Sequence, residues 1–273
     1  MNDRDVIDLR TLSERGATLR AQGRYDEAEA ELMHAVALAI RVYGEDHAET
    51  GAAVNQLGLL YRYSGNQECA RAAYERALRI ASSQFGEESD AAATVWHNLG
   101  GLHFSAGQFA QAEAAARRAV EIRRGLHGPD HPDVIADLCA LAGTLDGLQR
   151  WSESEAIYID ALKFWEERVG PDHYEVAVLM NNLGGVYGAT GRLAEAEAAS
   201  RRALKIKTAV LGKRHPDVAL TMLNLATILH DLNRVGEGRA VAKRAAGIVG
   251  QAGLAATHPL RAHAAEVMAL FRN

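Results

Sequence analysis

YEVAVLMNNLGGVYGATG, residues Tyr174 to Gly191, decides how this chain is read. Its apolar side chains Val176, Leu179, Leu183, Val186 and Tyr187 fall three and four apart, the spacing of one helix face, with no strand-like alternation. Gly191 then supplies a residue that takes positive φ at little cost. Leu193 to Leu211 continues as a second helix ended by Gly212, and His215-Pro216-Asp217 opens the next one. There proline loses nothing by lacking an N–H, and aspartate sits at the positive end of the helix dipole.

Working outward, this helix pair recurs. Gly23, Gly65, Gly107, Gln149, Gly191 and Asn233 stand 42 residues apart, as do Ala35, Ala77, Ala119, Ala161, Ala203 and Ala245. Gly16, Gly58, Gly100, Ala142, Gly184 and Ala226 form a third column of tiny residues. The second cap recurs at Gly44, Gly86, Gly128, Gly170 and Gly212. Six units are expected at 6–47, 48–89, 90–131, 132–173, 174–215 and 216–257, with a capping helix at 258–273 built on Leu260, Ala264, Val267, Met268 and Phe271. A fixed period between roughly 20 and 50 residues marks a stacked array whose units bury their apolar faces only against neighbours. The expectation is therefore one all-α domain over 1–273, in which tiny mid-helix residues let backbones approach beside Leu99, Leu141, Leu183 and Leu225.

Composition narrows the function. With 30 basic and 35 acidic residues, net charge -5, the chain lacks the positive field of a nucleic-acid binder. No apolar run is long enough to span a bilayer and the start, MNDRDVIDLR, alternates charges, so a cytoplasmic protein with no membrane partner is expected. Cys69 and Cys139 fall at unrelated positions and read as packed thiols. His47, His131, His173 and His215 open helices in different units. Helix axes about 8–10 Å apart cannot bring them onto one ion whose nitrogens must lie about 2.0–2.1 Å away, so no metal and no cofactor are expected. His103 shares a column with Leu19, Tyr61, Leu145, Tyr187 and Leu229 and reads as a core histidine. Arg117-Arg118, Arg123-Arg124, Arg201-Arg202, Lys205 and Lys207 alternate with glutamates and read as a solvated, salt-bridged helix face.

Asn182-Leu183-Gly184, followed by Tyr187, Gly191, Ala196 and Ala203, resembles the tetratricopeptide repeat. The 42-residue period and the phrases from His127 to Val134 and from Leu211 to Val218 are similar to the long-helix repeats of kinesin light chain and its bacterial relatives. Arg15 for the core leucine, Gln149 for glycine and a last cap shifted to Gly253 depart from the pattern. The resemblance implies a right-handed α-α superhelical solenoid whose first helices line a concave groove. Carried over position by position, it marks Arg20, Asn55, Arg62, Tyr63, His97, Gly101, Gly143, Asp146, Asn181, Gly185 and His230 as groove residues. Gly101, Gly143 and Gly185 would form a side-chain-free floor. The amides of Asn55 and Asn181 match the donor and acceptor of a peptide backbone, while Arg20 and Arg62 match carboxylates. His97 with Asp146 is the pair suited to acid–base work, but no nucleophile elbow, phosphate loop or HExxH accompanies it. The function expected is a non-catalytic scaffold or adaptor that holds an extended protein or peptide segment, acidic where it meets arginine. The alternatives are a regulator responding to a peptide or small effector, and an enzyme of a biosynthetic pathway using His97 and Asp146. A monomer or weak homo-oligomer is expected.

Overall fold

A computed structural model describes residues 3–256 and 258–272. Thr257 and Asn273, the ends of the predicted sixth repeat and capping helix, lie outside the described residues. The described residues form thirteen helices and no strand. They are α1 (Asp3–Ala21), α2 (Tyr25–Tyr43), α3 (Ala48–Ser64), α4 (Gln67–Phe85), α5 (Asp90–Ser105), α6 (Phe109–His127), α7 (Pro132–Gly147), α8 (Trp151–Val169), α9 (Tyr174–Ala189), α10 (Leu193–Leu211), α11 (Pro216–Asp231), α12 (Val235–Gln251) and α13 (Pro259–Ala269). The chain divides into two compact units, Met1–Leu148 with α1 to α7 and Gln149–Asn273 with α8 to α13.

Within each unit, consecutive helices pack as pairs, and odd-numbered helices also touch the next odd-numbered helix. Even-numbered neighbours make no comparable backbone approach among the described residues. They meet instead through long side chains, as Arg192 does with Glu155 at 2.7 Å. The odd-numbered helices are thus the closely spaced side of each stack.

The turns explain why the period is kept. Gly191 has φ 77°, and the two residues that replace glycine in this column hold the same conformation, Gln149 at φ 58° and Asn233 at φ 60°. After the glycines and Asn233 of this column the next N–H reaches back five residues, as from Arg192 to the Tyr187 carbonyl at 2.8 Å and from Asn66 to the Tyr61 carbonyl at 2.9 Å, closing the helix end. The second cap is of another kind. Gly212, with φ 84° and ψ 155°, is extended with positive φ, a region nearly reserved for glycine. The following helix is then capped by an imidazole: His47, His131, His173 and His215 each accept the backbone N–H two residues on through Nδ1, at 3.1–3.3 Å. Ser89 does the same work in the third repeat, through its hydroxyl.

The tiny columns are buried as expected. Ala35, Ala119, Ala203 and Ala245 are fully enclosed. A Cβ on Gly58 would lie 2.8 Å from the ring of Tyr74, and one on Gly184 would lie 2.7 Å from the Ser200 hydroxyl. Leu99, Leu141, Leu183 and Leu225 are buried beside them. At the start of the array Arg15 replaces that leucine, is exposed, and pairs with Glu31 at 2.6 Å.

Four expectations are corrected. Cys69 is exposed, not packed, because it stands in the first turn of α4 beside the cap Asn66, ahead of the buried positions that begin at Ala70. His103 is partly exposed and its Nδ1 meets Gln108 Oε1 at 2.8 Å, since the polar end of α5 reaches the turn to α6. The basic face of the even-numbered helices holds true for Arg117 with Glu113 and Arg201 with Glu197, both at 2.7 Å. It fails for Arg123 and Lys207. Lys207 is 3% exposed and lies 2.9 Å from Asp217, and Arg123 points inward to a second carboxylate. The last helix ends at Ala269, so the predicted span to 273 is shortened.

Candidate functional site

In the first unit the odd-numbered helices carry eight of the marked residues: Arg20 on α1, Asn55, Arg62 and Tyr63 on α3, His97 and Gly101 on α5, and Gly143 and Asp146 on α7. Arg20 near the end of α1 places Nη1 3.3 Å from Gln56 Oε1 of α3, and its guanidinium lies 5.6 Å from the Tyr63 ring. Arg62 lies 4.7 Å from the same ring. Tyr63 itself is 48% exposed, an aromatic surface beside two cations. Burial lowers the pKa of Arg20 from its ordinary value, Tyr63 opposing the shift. It remains a cation at any neutral pH.

Arg62, His97, Asn98, Gly100, Gly101, Phe104, Ala116, Ala140, Gly143 and Thr144 enclose a cavity of about 250 Å³. The floor is made of small residues. Gly101 does not leave its space to a ligand, however, for the Arg62 guanidinium lies where a Cβ would stand. The Nε of Arg62 is buried and makes no hydrogen bond among the described residues. Behind the cavity stands a network the sequence reading overlooked. His97 Nδ1 meets Asp137 Oδ1 at 2.7 Å, and Arg123 Nη1 reaches both oxygens of Asp137 at 2.9 Å. Arg123 Nη2 bonds Thr94 Oγ1 at 2.7 Å. Asp137 is 0% exposed and Arg123 12%.

The carboxylate on His97 is therefore Asp137, not the expected Asp146. Asp146 lies about 13 Å further along α7, at 1.5 Å per residue. A signal for Asp137 exists in the sequence. Its column reads Ala53, Val95, Asp137, Leu179 and Thr221, so a lone carboxylate stands where four repeats bury an uncharged residue. A second cavity, about 280 Å³, opens between α3, α4 and α5, lined by Ala52, Asn55, Ile80, Ala81, Phe85 and Val95 among others. Asn55 lies between the two. Its Oδ1 accepts from Asn98 Nδ2 at 3.0 Å.

The second unit repeats that detail. Asn224 Nδ2 of α11 donates to Asn181 Oδ1 of α9 at 3.1 Å. Gly185, one turn further, is exposed, and a Cβ there would meet nothing within 4 Å. His230 is set apart from this face's open part, its ring 5.6 Å from Phe271 and its Nδ1 3.2 Å from Asp231. Tyr174 donates to Asp217 at 2.9 Å, and burial with that carboxylate pushes its phenol up to about 12. The unit thus shows one open, polar stretch, around Asn181, Asn224 and Gly185.

The helix pairs, their period and their caps find their match in one family model, Tetratricopeptide repeat, over residues 8–83, 91–167, 146–209 and 175–249. The chain belongs to the tetratricopeptide repeat family. No curated protein is matched by the sequence. Among solved structures, BtubC (BKLC) from P. vanneervenii is 21% identical, with 84% of this chain and 90% of that chain covered and a TM-score of 0.63. The kinesin light chain TPR-like repeats of Podosopora anserina are 19% identical over 77% of this chain and 99% of theirs, TM-score 0.62. NprR in complex with its cognate peptide NprX is 15% identical over 92% of this tetratricopeptide repeat chain and 69% of its own, TM-score 0.67. At these identities the likeness is one of fold. Among the described residues no helix is long and apolar enough to cross a membrane.

Proposed function

We propose that this tetratricopeptide repeat protein holds an extended segment of a protein or peptide partner along the face of its odd-numbered helices, and acts by binding rather than by turnover. The observation that carries the reading is the pair of asparagine pairs, Asn55 with Asn98 and Asn181 with Asn224. Each pair spends one amide's oxygen and one N–H of the other. What remains is a donor on Asn55 or Asn181 and an acceptor on Asn98 or Asn224, the complement of one peptide unit. An arrangement that reads backbone alone tolerates any side chain, which suits a scaffold. NprR, solved in complex with its cognate peptide, is similar to this chain in fold, which supports the reading.

Side-chain preference then falls to Arg20, Tyr63 and Arg62. Two guanidiniums over one exposed ring favour a segment with an acidic residue, and Arg's fork binds a carboxylate at two points. The test is titration calorimetry with a peptide selected from a displayed random library. Asn181→Ala should weaken acidic and neutral peptides alike, by about 0.5–1.5 kcal/mol for one lost neutral hydrogen bond. Arg62→Ala should weaken acidic peptides selectively and flatten the salt dependence. If neither variant changes the affinity of any selected peptide, the reading fails.

A further inference from the structure

We propose that the cavity between Arg62 and His97 receives a carboxylate of the bound segment, with His97 as its second, proton-dependent contact and the buried Asp137–Arg123 pair as the device that positions the ring. The proposal rests on the peptide-binding reading and names the chemistry of one subsite within it. Three observations lead to it. Arg62 carries a buried Nε without a hydrogen bond, lines the cavity, and holds its guanidinium 4.7 Å from the Tyr63 ring and over Gly101. The buried group that faces Arg62 is the Tyr74 phenol, itself without a hydrogen-bond partner among the described residues, rather than a carboxylate. A buried N–H left without an acceptor costs free energy unless a ligand supplies one.

The ring comes next. Asp137 is fully buried and shared with Arg123, so it is a carboxylate and can only accept; His97 Nδ1 must therefore carry the hydrogen. That fixes the ring and leaves Nε2 as the nitrogen available to the cavity, which His97 lines at 39% side-chain exposure. When the ring is protonated, Nε2–H donates to an anion while Nδ1–H stays on Asp137. The charges facing the ring are Arg62 from α3, Arg123 from α6 and Asp137 from α7; α4 contributes nothing to the lining. On α5 itself Asp90 touches the network through Arg123 Nε at 3.7 Å and is held by His127 at 2.8 Å. Asp137 and Asp90 both face Arg123, which leaves Arg62 as the cation that lines the cavity itself and that an anion there would meet.

The third observation is the cost of the arrangement. A carboxylate stands in a column whose other buried members are uncharged, Ala53, Val95, Leu179 and Thr221, and it meets Arg123, whose own column reads Ala39, Ala81, Arg123, Trp165 and Lys207. A buried ion pair is often no better for stability than a well-packed apolar pair, so its position against the one histidine that lines the cavity points to orientation of that ring.

A carboxylate can come from a side chain or from a chain end, and the test separates them. The full chain, labelled with ¹⁵N, is titrated with acetyl-glutamate amide, which carries only a side-chain carboxylate, and with acetyl-glycine, which carries only a terminal one. Acetyl-glutamine amide is the neutral control. At least one acid should shift the Arg62 Nε–H and His97 ring signals and bind about tenfold more tightly than the control, and more tightly at pH 6 than at pH 8. His97→Gln should remove that pH dependence, and Arg62→Ala should remove the preference for the acids. In the unliganded chain the neutral ring should show the Nδ1–H tautomer, and Asp137→Leu should convert it to Nε2–H. Equal binding of the acids and the control, an Nε2–H tautomer in the parent chain, or His97→Gln with unchanged pH dependence would each overturn the proposal. The tautomer of the parent chain decides even if Asp137→Leu does not fold. Asn181→Ala keeps the two readings apart: peptide affinity unmoved with acid binding retained would sink the backbone reading alone.

Discussion

Gly58, Gly101 and Gly185 occupy the middle of three odd-numbered helices for three different reasons, and one substitution tells them apart. Alanine at position 58 would put a carbon 2.8 Å from Tyr74, which is wholly buried and hemmed in by Ala73. Overpacking of that kind costs about 1–3 kcal/mol, to be read from urea denaturation. At 185 the added carbon meets nothing, so Gly185→Ala should stabilise by about 0.5–1 kcal/mol through helix propensity alone. At 101 the obstacle is the mobile end of Arg62. Gly101→Ala should leave the melting temperature nearly unchanged yet weaken acidic peptides as Arg62→Ala does. Residue-scale chemistry also predicts a strong coupling at Asp137. Removing only its charge, by Asp137→Leu, leaves Arg123 buried without its anion and should cost about 3–5 kcal/mol, whereas adding Arg123→Ala should recover most of that loss. An additive double variant would show that the pair is not one buried unit. Of this pair, Asp137 was legible as an exception within its column, whereas Arg123 shares its column with another cation, Lys207. The contact of Asp137 with Arg123 was not legible, because the sequence gives a column's register but not which side of the stack a long side chain turns toward, and a helix face of alternating Arg and Glu reads as solvated until its depth is known.

At the scale of the element, the array is specified mostly by its ends. The glycine column and its stand-in Asn233 were readable because only a few residue types tolerate positive φ; Gln149 read as a departure, yet the structure places it there too. The histidines at helix starts were readable as a pattern but not as caps, since an imidazole nitrogen is a rarer N-cap acceptor than a hydroxyl or carboxylate. Their geometry gives a pH dependence whose sign can be worked out at His258. Nδ1 of His258 accepts the Leu260 N–H at 3.1 Å, and burial, with Arg261 adding to it, lowers its pKa below the ordinary histidine value. The folded state therefore disfavours the proton. The cap's contribution is present above the unfolded histidine pKa of about 6.5 and is lost as pH falls from there through the lower folded value. Amide exchange at the start of α13 should accelerate between pH 7 and pH 5 relative to the midpoint of α11, after correction for intrinsic exchange. His258→Asn, which keeps an acceptor that does not titrate in this range, should abolish the difference. A slowing of exchange at low pH would show that the cap assignment is wrong.

On the scale of the whole molecule, a stacked array must end somewhere, and the residues that end it here are visible in both sequence and structure. Leu254, Leu260, Ala264, Val267 and Phe271 join Met222, Ala226, Ala242, Ala245 and Val249 in one buried cluster, so α13 covers the face that a seventh repeat would otherwise cover. The sequence predicted this cover from the apolar spacing of Leu260 to Phe271, but not how Phe271 finds room. The answer lies in a column that reads Ala28, Ala70, Ala112, Ser154, Ala196 and then Gly238. Only the last member lacks a side chain. A Cβ there would stand 2.8 Å from the Phe271 ring and 3.1 Å from the Ala226 carbonyl. Gly238→Ala would thus restore the residue common to the column and improve local helix propensity, by about 1 kcal/mol on an isolated helix. It should nonetheless destabilise, because the ring of Phe271 must leave its buried place against α11 and α12. The expected result is a loss of about 1–3 kcal/mol, together with concentration-dependent association in sedimentation velocity as the apolar end is uncovered. Phe271→Leu in the same background should relieve the clash and restore both stability and the sedimentation behaviour of the parent chain. If Gly238→Ala instead raises the stability and leaves sedimentation unchanged, Phe271 does not close the stack, and the end of the array is held by α13 alone.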